Sequence, residues 1–111
     1  MDLLARGEAD AAMIIASDPA SNFPRAAVER LKQIPVIVLD PKETETGRVA
    51  RVAFRTATYG INVPGTVYRM DDVAIRLRPA FDSPYPSDET ILRAIMARVR
   101  ELRGLAALPA A

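Results

Sequence analysis

Two unbroken apolar runs, Ala11 to Ala16 and Ile34 to Leu39, each end within two residues of an Asp-Pro pair, and they constrain this chain more than any other feature. Runs of this length without polar alternation are typical of strands covered on both faces in a parallel sheet. Between them, Ser17-Asp18-Pro19 breaks the first run. Pro24 then suits the first turn of a helix continuing through Val28 and Leu31 to about Gln33. Strand, helix and strand in roughly thirty residues make a βαβ unit with parallel strands and a right-handed crossover. The expected class is α/β.

Downstream, residues 43–50 suit a short helix and RVAFRTAT a third strand, with Val52 and Phe54 on one alternating face and arginines on the other. GINVPG, from Gly60 to Gly65, is turn-like. TVYRMDDVAIRL reads as a hairpin folded around Met70-Asp71-Asp72. Pro79, Pro84 and Pro86 give an extended connection. Ser87 then caps a helix with Asp88 and Glu89 in its first turn, an apolar stripe of Ile91, Leu92, Ile95, Val99 and Leu102, and Gly104 at its end. LAALPAA at the C-terminus is expected to fray. The whole reads as a small three-layer α/β domain over residues 1–111, with a parallel sheet from the βαβ unit, a hairpin and a C-terminal helix.

Composition excludes several kinds of chemistry. The 111 residues contain no cysteine and no histidine, so the chain carries no thiol nucleophile, thiolate metal ligand, disulfide or imidazole base. No apolar run is long enough to span a bilayer and the N-terminus lacks a basic region ahead of a secretory apolar segment, so the chain is expected in the cytoplasm. Net charge is only +1, yet residues 1–46 carry eight acids against five bases, and residues 47–78 six arginines against two aspartates. The basic middle suits an anion, an acidic partner surface or simple solvation. Nucleic acid is not indicated, because aromatic interleaving and any recognised binding motif are missing.

In open parallel sheets ligands collect beyond the carboxyl ends of the strands, here Ser17, Asp18, Asp40 and the loop to Thr46. Asp18 and Asp40 can each accept from a ribose hydroxyl or a guanine edge, or can cap local backbone donors of an Asp-Pro turn. Thr44 and Thr46 can cap the following helix or meet a phosphate at its N-terminus. There is no GxGxxG and no P-loop. Asp71 and Asp72 are adjacent, so on an extended segment they face opposite ways and make no acid/base pair. Flanking Arg69 and Arg76 suit surface ion pairs with them.

Taken together, Asp18-Pro19, Asp40, Thr44-Glu45-Thr46 and Gly65-Thr66 resemble the pattern of molybdopterin oxidoreductases. FPRAAVERL, IPVIVLDP and especially GTVYRMD followed by IRL resemble, over about residues 8–102, the C-terminal part of the formylmethanofuran dehydrogenase B subunit and its counterpart in bacterial formyltransferase/hydrolase complexes. The resemblance implies part of a Rossmann-like domain belonging to a longer polypeptide. It implies that Asp40 and Thr44, and less directly Asp18, contact the guanosine end of a molybdopterin guanine dinucleotide. The residue that ligates molybdenum or tungsten, and the iron–sulfur segment, would lie upstream in full-length members.

The sequence departs from the family pattern at Ala50 to Arg55 and at Ile61-Asn62, and has Arg30 and Lys42 where the archaeal proteins commonly have histidine. That drift suits the bacterial counterparts, in which this component resembles a structural remnant without redox chemistry. The implied role is a non-catalytic scaffold in tetrahydromethanopterin-linked one-carbon metabolism, partnered by formyltransferase and hydrolase subunits. A cofactor-binding piece of a dehydrogenase and a free-standing nucleotide-binding or oligomeric module are the alternatives. In isolation the chain is expected to self-associate, through an uncovered sheet edge or the stripe on residues 91–102.

Overall fold

A computed structural model describes residues 2–105. They fall into two compact units divided between Thr56 and Ala57.

The first unit runs α1 (Asp2–Ala5), β1 (Ala12–Ile15), α2 (Pro19–Asn22), α3 (Arg25–Leu31), β2 (Val36–Asp40), α4 (Glu45–Val49) and β3 (Val52–Arg55). Its three strands form a parallel sheet in the order β1-β2-β3, with Ile14 beside Val38 and Val38 beside Ala53. The expected βαβ unit and third strand are therefore present. β2 is central and the most buried, as its β-branched VIV run favours.

Residues two apart on a strand share a face. Ala12, Ile14, Val36 and Val38 thus turn one face of the sheet toward Leu31 of α3, and these side chains form the core together with Leu4, Ile34 and Ala50. The opposite face carries Met13, Ile15 and Val52, all exposed.

Two features were not expected. The crossover contains a separate helical turn, α2, opened by Pro19 at its first position and closed before Pro24, whose ring cannot extend it. And Ala16, immediately after β1, has φ 49°, in the left-handed region. An L-residue with a Cβ is strained there by about 1–2 kcal/mol.

In the second unit, β4 (Gly65–Tyr68) and β5 (Ala74–Leu77) pair antiparallel, with Val67 opposite Ile75. The hairpin loop is a tight connection: Asp72 N donates to Arg69 O at 3.0 Å, Arg69 N donates to Val73 O at 3.0 Å, and Asp72 has φ 61°. This is the type I turn followed by a left-handed residue that closes such loops, and Asp is among the residues that tolerate that conformation. Asp71 turns back to Arg69 in a two-pronged ion pair, at 3.1 and 2.6 Å.

The long helix α5 (Asp88–Leu102) starts where Ser87 accepts from Thr90 N at 3.2 Å. It ends with Gly104 at φ 65°: Gly104 N donates to Glu101 O at 3.0 Å and Leu105 N to Arg100 O at 2.8 Å. That pair of bonds is the Schellman arrangement. The frayed tail expected from LAALPAA lies, beyond Leu105, outside the described residues.

The strain at Ala16 can be relieved. Ala16→Gly removes the Cβ penalty but gives the unfolded chain more freedom, so the expected net gain is about 0.5–1 kcal/mol. It would appear as a higher urea midpoint with an unchanged slope.

Candidate functional site

The loops that leave β1 and β2 at their carboxyl ends are the place where polar groups converge. β1 leads into Asp18, and β2 ends on Asp40 and leads to Thr44, Glu45 and Thr46. Asp18 sits at the cap position of α2 but makes no capping bond to that helix's backbone. Its carboxylate reaches across instead. Oδ1 accepts from the Thr46 hydroxyl at 2.6 Å and from Thr46 N at 2.9 Å, while Oδ2 accepts from Ser21 Oγ at 2.6 Å.

Thr46 is completely buried, and its hydroxyl also accepts from Ala20 N at 2.9 Å. One threonine therefore donates to the first loop's acid and accepts from the first loop's backbone. Burial pushes the Asp18 carboxyl up, but the hydrogen bonds from Ser21, Thr46 and the Glu45 backbone outweigh it and bring the pKa from 3.8 to about 2.

Thr44 is the N-cap of α4. Its hydroxyl accepts from Gly47 N at 3.0 Å, and a Cβ on Gly47 would stand only 3.3 Å from that oxygen. Of the two readings open for Thr44 and Thr46, capping describes Thr44, and a long-range tie to Asp18 describes Thr46. Nothing in the local sequence pointed to that tie, because its partners lie 28 residues apart.

Asp40 differs from Asp18. It is 6% exposed, and its Oδ1 accepts from Lys42 N at 3.0 Å. It lines an open crevice of about 230 Å³ with Lys42, Gly47, Arg48, Phe54 and Arg55, between the ends of β2 and β3 and the start of α4. Arg55 is its register neighbour on β3. Arg48 is held by Glu43 at 3.0 Å and Glu45 at 2.7 Å, and these partners raise its pKa.

The crevice thus offers a carboxylate beside two arginine-bearing positions, Arg48 and Arg55, which suits a polar planar group better than a bare ion. Among the described residues no cluster of acidic side chains could hold a metal ion, and no helix is long and apolar enough to cross a membrane.

No protein-family model matches the chain. It is 43% identical over 103 residues to the B subunit of the tungsten-containing formylmethanofuran dehydrogenase 2 of Methanocaldococcus jannaschii, covering 91% of this chain and 24% of that protein. Against the protein of the same name from Methanococcus maripaludis it is 36% identical over 104 residues, covering 92% and 24%. The chain is a relative of the formylmethanofuran dehydrogenase B subunit. It spans about a quarter of the length of the curated relatives it matches. Since the matches take in nine-tenths of this chain, they extend over both units and not merely over the βαβ segment.

The Asp18–Thr46 tie makes a directional prediction. A carboxyl with a depressed folded pKa adds stability that is complete above its unfolded value and disappears as pH falls through the folded one. Here that window runs from about pH 4 down to about pH 2. Urea midpoints of the wild type and Asp18→Asn, measured across it, are expected to converge at the acid end. At pH 7, Thr46→Val, which also strands Ala20 N, is expected to cost about 2–3 kcal/mol.

Proposed function

We propose that this chain is a structural, non-catalytic part of a protein like the formylmethanofuran dehydrogenase B subunit, serving as scaffold in a formyltransferase/hydrolase complex of tetrahydromethanopterin-linked one-carbon metabolism. The observation that carries this reading is the use of the strand-end polar groups. Asp18, Thr44 and Thr46 are spent on holding loops together and capping α4, and the chain has no cysteine or histidine to serve as nucleophile, metal ligand or near-neutral base. Such a segment contributes shape and contact surface, while transfer and hydrolysis of the formyl group fall to other subunits. Isolated from them, the chain self-associates through the half-exposed apolar stripe of α5, where Val99 and Leu102 face solvent.

The test is a pull-down of the tagged chain from its source, with the retained proteins identified by mass spectrometry. Formyltransferase and amidohydrolase-like subunits are the expected companions. Recovery of the chain alone would overturn the scaffold reading.

A second reading is favoured by the Asp40 crevice: the chain holds the guanosine end of a molybdopterin guanine dinucleotide. The residues fit one end of a nucleotide, because Asp40 is a buried acceptor at a strand's carboxyl end and lines an open crevice with Lys42 and Gly47 at the start of α4. Thr44 would contribute through the helix start that it caps. The redox chemistry would belong to the metal-bearing pterin, and this chain's own part would be to orient the nucleotide. Titration with guanosine monophosphate, followed by amide chemical shifts, separates the readings. On the second, shifts cluster at residues 40–48 and vanish in Asp40→Ala; on the first, no saturable change appears.

A further inference from the structure

α5 carries Leu92, Ile95, Val99 and Leu102 at alternating spacings of three and four, the pattern that seats one helix against another. Only one end of that stripe is covered within the chain. Leu92 and Ile95 are partly covered, next to the buried Ile91, whereas Val99 is 45% and Leu102 70% exposed, with Met96 beside them at 44%. Charge is sorted along the same helix. Asp88 and Glu89 lie in its first turn, and Arg98, Arg100 and Arg103 at its other end, with Glu101 among them.

We propose that α5 pairs with α5 of a second copy of this chain, antiparallel and about a two-fold axis between Ile95 and Val99. The same patch then serves both copies, as in any two-fold interface. Setting Leu92 against Leu102 and Ile95 against Val99 of the second copy stacks four apolar layers, and Met96 meets Met96 at their flank. In that register the flanking positions bring Glu89 beside Arg103, once at each end of the pair.

Charge complementarity is what selects this occupant and its direction, because flanking charges set partner choice and orientation in paired helices. Within the chain Glu89 is held by Arg93 in an exposed pair at 2.9 Å, and Arg103 has no ion-pair partner among the described residues. Both are therefore available at the helix ends. Arg98, which comes opposite its own counterpart near the axis, is already neutralised by Glu101 at 2.7 Å. A parallel pair would instead set Arg98 beside Arg103 of the other copy along both flanks. The inference gives a geometry to the self-association stated above and rests on that statement; the scaffold role does not enter it.

Sedimentation equilibrium of the full chain tests the pairing. Wild type is expected as a reversible dimer, and Glu89→Arg or Arg103→Glu alone to weaken it about tenfold. An equimolar mixture of the two variants is expected to return to wild-type affinity, since each new charge then meets its opposite. Direction is read separately. The chain has no cysteine, so Leu92→Cys and Leu102→Cys each supply a single thiol. Mixed and oxidised with glutathione disulfide, they are expected to give the crossed disulfide about tenfold over either like-with-like product.

A monomer at every concentration overturns the proposal, as does a dimer indifferent to both reversals or a predominance of the Leu102→Cys homodisulfide. If Arg103→Glu costs the tagged chain another protein from its source and not the second copy, the stripe belongs to that protein and the pairing also falls. The scaffold reading survives each of these results where formyltransferase and amidohydrolase-like subunits are still retained. Their absence beside an intact α5 dimer removes the scaffold and leaves the pairing.

Discussion

The contact on which the first unit depends is the one between Asp18 and Thr46. A parallel sheet has its loops at two ends, and those at the carboxyl end have few apolar side chains with which to pack. Here the core of Leu31, Val36 and Val38 lies below that edge, so a polar device must fix the loops above it. A charge-assisted bond of 2.6 Å to a completely buried threonine supplies it. Because the same hydroxyl accepts from Ala20 N, the tie satisfies a backbone donor of the first loop as well as its acid. The tie thereby holds the start of α2 against the first turn of α4, whose own cap is Thr44. The depressed pKa of Asp18 is the electrostatic signature of the same arrangement.

The second unit is held by other means. Among its described residues, only Ala57 and Ile91 are buried apolar side chains. An isolated two-stranded hairpin is marginal in water, and Val67, Tyr68, Val73 and Ile75 are all displayed on this one, with Met70 fully exposed at its tip. What orders the segment is hydrogen bonding. Asn62 accepts from Thr58 N at 3.1 Å and donates to Phe81 O at 3.1 Å, while Ala80 N and Phe81 N both donate to Ile61 O. One side chain thus fastens the turn before β4 to the connection after β5. A unit built from turns, caps and one amide leaves its large apolar side chains on the outside.

Local physics made much of this legible. The continuous apolar runs pointed to a parallel pair covered on both faces; β2 is buried in that way, whereas β1 leaves Met13 and Ile15 exposed. Ser87, the acids after it and Gly104 marked both ends of α5, and Met70-Asp71-Asp72 marked the hairpin turn. What stayed hidden was long-range or purely conformational. Thr46 looked like one of two interchangeable threonines in TET, since no local pattern distinguishes a cap from a tie to a residue 28 positions earlier. Ala16 gave no sign of its positive φ, which a glycine would have announced. Asn62 read as a departure from a family pattern, whereas its amide is the fastening of the second unit.

The two Asp-Pro loops look alike in sequence and have diverged in chemistry. Asp18 has both carboxylate oxygens bonded within its own unit, so any ligand reaching it would first have to replace bonds that hold two helices in place. Asp40 takes a short-range bond from Lys42 N, two residues along its own loop, and faces an open crevice. Loss of Asp40 therefore leaves the tie between the loops intact, and loss of Asp18 does not. A scaffold needs the first aspartate and can dispense with the second. A nucleotide-binding domain needs both, one to hold the loop geometry and the other to meet the ligand. The free energy of folding tests the Asp18 loop, which both readings need, and binding tests the Asp40 loop, so the two readings of this chain separate at Asp40, although the sequence writes the two aspartates in the same way.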